Sequence, residues 1–361
     1  MAMKLTAIDL FAGAGGATAG LKAAGFDVRA AVEIDATAAR SYRLNHPGTA
    51  VIQSDIRLVT GREILRAARL RRGQLAILQA CPPCQTWSSL GKRSPSDPRN
   101  ELVTVVAGLI EGLRPRGFIL ENVLGLRDDE RLADLLRRSR DMGYVSKVYV
   151  VDASDFGVPQ RRRRLIVLGS RVAGISALPA ALADLLPPEF DRSRRTVREA
   201  IGRLADGPDA LHRYRRLGTL AQMRAEALPA GGRRKDLPER LQLKCHKTLG
   251  TRGATAAYGR MAADEVAPTL TTRCTTPACG PYFHPWENRG ISLREAALLQ
   301  TFPADYKFDG HYDEIERQIG NAIPVRLAEA AARAARTILT RGCSIAPAEP
   351  ASPDGGFVFA G

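Results

Sequence analysis

The stretch Asp9-Leu10-Phe11-Ala12-Gly13-Ala14-Gly15-Gly16 leaves an apolar run and enters a helical pattern, and it constrains the fold more than any other feature of the chain. Residues 5–11 read as a buried strand, and a helix is expected near 15–24. Glycines at such a junction let the backbone turn tightly and approach a ligand, while the helix N-terminus favours an anionic group. The alternation then repeats. Residues 28–34, 51–52, 75–78 and 118–120 read as strands, with helices through Asn45, over 60–71 and near 101–113. Strands at 144–151 and 165–168 follow, joined by a basic loop. This order implies an α/β fold, a parallel sheet covered by helices on both faces. Ligands in such sheets bind beyond the carboxyl ends of the strands.

The residues ending those strands are Asp9, Glu33, Asp55, Cys84 and Glu121. A carboxylate at Glu33 can bind both hydroxyls of a ribose, and Asp55 can accept a bond from an adenine amine. Either could instead cap the next helix. The glycine loop and both acids in register favour a nucleoside cofactor. The anion at the loop is then a methionine carboxylate or a pyrophosphate, and the loop does not distinguish them.

Cys81-Pro82-Pro83-Cys84-Gln85-Thr86-Trp87-Ser88 follows the fourth strand. A zinc site would need further ligands, and Cys245, His246, Cys274 and Cys279 lie far off in a weakly patterned region, so no metal is expected. A redox dithiol would suit a much smaller domain. The third reading is one nucleophilic thiolate, Cys84, in a loop stiffened by Pro82 and Pro83. A nearby cation would lower its pKa, and the Arg-rich loop at 161–164 is a candidate source.

Composition bears on partners. The chain carries 53 Lys and Arg against 38 Asp and Glu, and only eight of the 53 are Lys. An Arg-rich net charge of +15 suits a polyanion, although a GC-rich genome also enriches Arg. No apolar run approaches a membrane span, the N-terminus lacks a signal-peptide pattern, and six Cys are too few for a disulfide scaffold. The expectation is a soluble, reduced, cytoplasmic protein without a membrane partner. Residues 171–250 are rich in Ala, Pro, Gly and Arg, which suggests a small irregular second domain. Helix returns at 292–300 and 324–339, and 344–361 reads as a disordered tail.

Taken together, the motifs resemble those of the bacterial-type DNA (cytosine-5) methyltransferases. The resemblance rests on Phe11-Ala12-Gly13-Ala14-Gly15-Gly16, Pro83-Cys84-Gln85, Glu121-Asn122-Val123, Gln160-Arg161-Arg162-Arg163-Arg164 and Gln318-Ile319-Gly320-Asn321-Ala322. They stand in the family's order and span residues 9–324. The resemblance implies a Rossmann-like mixed sheet of the S-adenosylmethionine-dependent kind, with helices on both faces and a small irregular target-recognition domain. Its division would be 1–190 for catalysis and cofactor, 191–285 for recognition, and 286–343 for a segment returning to the first domain.

The implied chemistry is transfer of a methyl group from S-adenosylmethionine to C5 of a cytosine flipped out of duplex DNA. Cys84 would bond C6, making C5 nucleophilic. A protonated Glu121 would donate to N3, a role that needs a raised pKa. Arg164 would bond the cytosine O2, and Arg162 would hold the loop and the ring. Arg161 and Arg163 would point the other way, as a phosphate-facing pair. For the cofactor, Phe11 would pack on the adenine, Ala12, Gly13, Gly15 and Gly16 would form the cradle, Glu33 would bind the ribose, and Asp55 with Ile56 would frame the base. Pro83 and Asn321 would close the cofactor site, Asn321 at its methionine end.

DNA contacts are expected from Gln85, Ser88, Lys92, Arg93 and Gln160. Near the recognition region, Arg260 is a candidate groove contact, and Thr271, Thr272 and Arg273 are candidates for the DNA backbone. Base reading is assigned to residues 241–247. The shortness of the recognition region points to a short site. A tRNA methyltransferase with the same catalytic domain is the main rival, but its characteristic Cys-Phe-Thr motif is absent. A DNA-reading protein without activity would have lost the catalytic residues, which are present. The expected partner is double-stranded DNA, with a cognate restriction endonuclease acting separately, and the expected state is a monomer.

Overall fold

The structure, a computed structural model, describes residues 5–83, 97–202, 204, 209–243 and 257–341. Cys84, Gln85, Ser88, Lys92 and Arg93, residues 244–247 and the tail at 344–361 lie outside the described residues.

Among the described residues, seven strands form one sheet: β1 (Thr6–Leu10), β2 (Asp27–Glu33), β3 (Ala50–Gln53), β4 (Ile77–Ala80), β5 (Gly117–Asn122), β6 (Val145–Asp152) and β7 (Arg163–Ser170). Their order is β3-β2-β1-β4-β5-β7-β6. The first five run parallel, whereas β7 is antiparallel to both β5 and β6. The sheet is therefore mixed. Direction matters here: because β7 runs backwards, the basic loop that precedes it arrives at the carboxyl edge of the other strands. There Asn122 pairs with Leu165 and Glu121 with Ile166.

Helices α1 (Gly16–Ala23), α2 (Ala36–Asn45), α3 (Gly61–Ala68), α4 (Leu102–Leu113) and α5 (Glu130–Asp141) occupy the crossovers. Alternate strand residues feed opposite faces, as the pleat requires. Ala7, Ile77, Ile119 and Ile166 join one core with Leu21 of α1. Ile8, Leu78, Leu120 and Val167 join the other with Ile64 of α3, Val106 and Ile110 of α4, and Leu135 of α5. Helix α5 was not among the sequence expectations. Its cap Asp129 accepts from Arg131 N, and Leu132 and Leu135 mark its buried stripe.

Beyond β7 lie short helices α6 (Val197–Ile201) and α7 (Thr219–Ala227), then α8 (Leu293–Leu299), α9 (Tyr312–Asn321) and α10 (Val325–Arg341). The last of these closes the first core, because Leu327, Ala331, Ala335 and Ile338 belong to the same buried cluster as Ile77 and Ile119. Outside α6 and α7, the described residues between β7 and α8 are mostly irregular, with an isolated bridge from Arg260 to Phe283 and another from Ala267 back to Gln160, ahead of β7. No helix among the described residues is long and apolar enough to cross a membrane.

Candidate active site

The sheet order sets the site. Reading along the carboxyl edge from β3 to β7 gives Asp55, Glu33, the glycine loop, the Cys81–Pro83 segment, Glu121 and Arg164. The topological switch falls between β1 and β4, between the glycine loop and the Cys segment. Backbone bonds hold these ends together: Ala12 N donates to Val32 O at 3.1 Å, Cys81 N to Leu10 O at 3.3 Å, and Ser54 N to Glu33 O at 3.1 Å.

In the glycine loop, Phe11 and Gly13 both take left-handed φ values, 59° and 54°. A Cβ at Gly13 would meet nothing within 4 Å, so open space adjoins the loop. The Glu33 carboxylate accepts from Gly13 N and Asp35 N, both at 2.7 Å, and burial raises its pKa. Gly16 opens α1 against the C-terminal motif, since a Cβ there would lie 3.0 Å from Ile323 O. Ile323 follows two residues after Asn321, the exposed last residue of α9.

Asp9, behind the loop, is fully buried. Its Oδ2 accepts from the Thr18 hydroxyl at 2.7 Å, while Oδ1 has no partner among the described residues. Burial pushes its pKa up to about 7. Asp55 has local partners. It caps the turn Ile56–Leu58, accepting from Arg57 N at 3.0 Å, and pairs with the Arg57 guanidinium, which holds its carboxyl low. Asp55 thus caps the turn after β3, while Asp35, rather than Glu33, caps α2.

On the other side of the switch, Asn122 Nδ2 donates to Pro82 O at 3.4 Å, tying the end of β5 to the Cys segment. Pro83 is exposed. Arg164 Nε lies 2.9 Å from Glu121 Oε1, and both side chains are largely shielded from solvent. The Cys81 thiol is pushed well above its ordinary pKa by desolvation and then by the Glu121 and Asp9 carboxylates, which keeps it protonated. Arg161 and Arg163 are exposed while Arg162 is buried, as the expected alternation requires. Arg162 donates to Leu270 O at 2.7 Å, Ala322 O at 3.1 Å and Gly320 O at 3.4 Å. Burial, and then the Arg164 charge, draw its pKa down to about 9, and its Nε has no partner among the described residues.

Two expected DNA contacts are corrected. Gln160 is fully buried: its Nε2 donates to Gln300 Oε1 at 2.8 Å, and its Oε1 accepts from Leu270 N at 3.0 Å. It joins interior segments and offers DNA nothing. Arg260 is also buried. Its guanidinium donates to the carbonyls of Ala225, Leu228, His284 and Glu287 and to Asn288 Oδ1, so every arm is spent inside the protein. Thr272 and Arg273 are exposed, and Thr271 lies 3.3 Å from the Tyr282 hydroxyl. Sequence reasoning passed over Gln300, whose Nε2 bonds Ile319 O at 2.7 Å and Ala322 O at 3.0 Å, and over Ile34, 63% exposed beside Glu33. A large apolar residue where a strand turns polar was the available signal for Ile34.

A profile of C-5 cytosine-specific DNA methylases matches residues 5–336. The chain belongs to that family. It is 36% identical over 346 residues to the type II methylase M.HgiDII of Herpetosiphon aurantiacus, covering 92% of this chain and 95% of the relative. It is 33% identical to the type II methyltransferase M1.HphI of Haemophilus parahaemolyticus, with 92% and 87% covered. Among solved structures, a putative DNA modification methyltransferase encoded within an E. coli prophage superposes with a TM-score of 0.66 at 26% identity, over 92% of this chain and 98% of that one. The S. pombe Dnmt2 methyltransferase gives the same TM-score at 16% identity, over 95% and 100%, which speaks to the fold alone.

As a member, the protein methylates C5 of cytosine in DNA, with S-adenosylmethionine as methyl donor. The residues present fit that donor. The space beside Gly13 would otherwise hold a Cβ, the Glu33 carboxylate stands next to it, and Ile34 offers an apolar surface at the same strand end.

Proposed function

We propose that Cys84, Glu121 and Arg164 carry out this methylation, with Arg162 as a positioning residue, on a cytosine flipped out of a short, specific duplex sequence, and that the protein is the modification half of a type II restriction–modification system. The observation that carries the residue assignment is the Arg164–Glu121 pair at the end of β5, joined through Asn122 to the proline segment that leads into Cys84.

The chemistry follows from those positions. The Cys84 thiolate adds to C6 of the ring, and the electron pair moves toward N3 and O2. Glu121 holds a proton at N3, and Arg164 supplies positive charge toward O2. S-adenosylmethionine, when bound, supplies an electrophilic methyl group. Once C5 has taken that methyl and S-adenosylhomocysteine is left, the C5 proton passes to solvent water, the C5–C6 double bond re-forms, the Cys84 thiolate leaves C6, and N3 returns its proton to Glu121. Phe11, Gly13, Glu33 and Asn321 orient the donor, with Ala12, Gly15 and Gly16 shaping the loop and Ile56 and Pro83 flanking it. Arg162 keeps the loop before β7 fixed to the 270 and 320 segments. Gln85, Ser88, Lys92, Arg93 and Arg273 contact DNA. The protein acts as a monomer in the bacterial cytoplasm. The type II relatives support the restriction–modification reading, the endonuclease being a separate chain.

Duplex DNA containing 5-fluorocytosine tests the residue assignment, because fluorine at C5 blocks release of the thiolate. The wild type traps it covalently. Trapping that persists in Cys84→Ser would overturn the assignment. Bisulfite sequencing of DNA from a naive host expressing the protein then yields the modified base and its site together. Methylation scattered without a shared sequence would count against the restriction–modification reading.

A further inference from the structure

His46 and Tyr306 take no part in the chemistry above, yet both end on carbonyls of the glycine loop. The Tyr306 hydroxyl donates to Ala14 O at 2.6 Å. His46 Nε2 lies 3.2 Å from Gly15 O and 3.0 Å from the Tyr306 oxygen, and Lys22 Nζ is 3.2 Å from His46 Nδ1. The directions follow from the donor inventory. An ammonium only donates and a carbonyl only accepts, so Nδ1 accepts from Lys22 and Nε2 carries the ring proton. That proton is shared between Gly15 O and the Tyr306 oxygen, whose own proton goes to Ala14 O. Burial, then the Lys22 charge, draw His46 down to about 4, so a neutral ring is the form present at neutral pH.

The packing is close. Gly15 has a φ of 98°, and a Cβ there would lie 2.6 Å from the His46 ring and 2.8 Å from the Tyr306 oxygen. The rings therefore seat directly on Gly15. They come from distant parts of the chain: His46 follows α2, and Tyr306 lies between α8 and α9. Each peptide unit is planar, so fixing the Ala14 and Gly15 carbonyls also fixes the N–H groups of Gly15 and Gly16. The Gly16 N–H opens α1 and is one of the donors an anionic group would meet.

We propose that Lys22, His46 and Tyr306 form a directed chain of hydrogen bonds that holds the glycine loop in its cofactor-binding shape. They are positioning residues for S-adenosylmethionine, and the proposal rests on the reading of this loop as the cofactor cradle. Loss of a link should loosen the loop and weaken the cofactor without touching the DNA surface.

Calorimetric binding of S-adenosylhomocysteine to the full chain tests this, beside binding of duplex DNA. Tyr306→Phe removes one oxygen and keeps the ring. His46→Leu removes all three polar ring contacts, whereas His46→Gln retains a donor at the Nε2 position. Tyr306→Phe and His46→Leu should each weaken S-adenosylhomocysteine about tenfold, the worth of a hydrogen bond at the upper end of the usual range. DNA affinity should stay within about twofold, and His46→Gln should regain most of the loss. Should His46→Leu not fold, Tyr306→Phe alone decides. Glu33→Ala separates the two readings. Weakened binding in Glu33→Ala with normal binding in Tyr306→Phe overturns the hydrogen-bond chain only. Normal binding in Glu33→Ala overturns the cradle and the chain together. An equal loss of DNA and cofactor affinity in Tyr306→Phe indicates general loosening and overturns the positioning role.

Discussion

Arg164 Nε stands 2.9 Å from Glu121 Oε1, across the antiparallel junction of β5 and β7. The contact joins two groups that the proposed chemistry aims at the same cytosine edge, one at N3 and one at O2. Each side chain preorganises the other, and neither has to move far to meet a flipped base. Arg164→Ala should lower kcat by about 10²–10³, the usual effect of deleting one preorganised charge-stabilising donor. KM for S-adenosylmethionine should stay within about twofold, because the pair lies on the substrate side of the topological switch. Single-turnover methylation checks this. A variant with unchanged kcat would remove Arg164 from the reaction.

Asp9 yields a pH prediction. Its pKa rises from an ordinary 3.8 to about 7 because it is fully buried, and the folded state therefore holds a proton that the unfolded chain releases. The stability from this proton is fully present below the unfolded pKa and is lost as pH rises through the folded value. The full span is on the order of 4 kcal/mol. Wild type should therefore lose stability relative to Asp9→Asn between about pH 4 and pH 7, with little further change above. Urea midpoints across that range would show it, and a pH-independent difference would refute it.

The repeating strand–turn–helix pattern was legible because burial on both faces leaves apolar runs that only a covered sheet can use. The order of strands was not, and neither was the reversal of β7, since register depends on partners far apart in the chain. Glu33 was readable as a functional carboxylate from its place at a strand end. Asp55 occupied an equivalent place, and only the structure shows its oxygens turned to Arg57. Arg260 and Gln160 misled for one reason: a polar residue in a basic, glycine-rich stretch looks like surface until its acceptors are known. The 225–228 and 284–288 carbonyls that enclose Arg260 are invisible in sequence.

Burial of Arg260 leads to the next prediction. Its planar fork serves four carbonyls and one side-chain amide, and a lysine has neither the shape nor the reach to replace it. Arg260→Lys should destabilise the fold by about 3 kcal/mol, since several buried carbonyls lose their donors. Exposed Arg273 should behave in the opposite way. Arg273→Ala should leave the urea midpoint unchanged and reduce the slope of log K against log salt for DNA by about 0.9, one phosphate contact. Reversed outcomes would restore Arg260 to the DNA surface.

Gly320 gives the sharpest steric prediction. A Cβ there would fall 1.9 Å from Thr271 O and 2.8 Å from Thr272 N, and both obstacles are backbone. No rotamer change relieves such a clash, so α9 and the 271–272 segment would have to separate. Gly320 O and Ala322 O accept from Arg162, as does Leu270 O on the other side. Separation would therefore strain the fixture of the loop that carries Arg164, and would disturb the approach of Ile323 O to Gly16 at the head of α1. Gly320→Ala should cost about 3 kcal/mol or more, beyond the usual penalty of overpacking. It should also weaken S-adenosylhomocysteine and lower kcat together, whereas Arg164→Ala lowers kcat alone. Finding Gly320→Ala as stable and active as the wild type would mean that the two segments do not meet as closely as described.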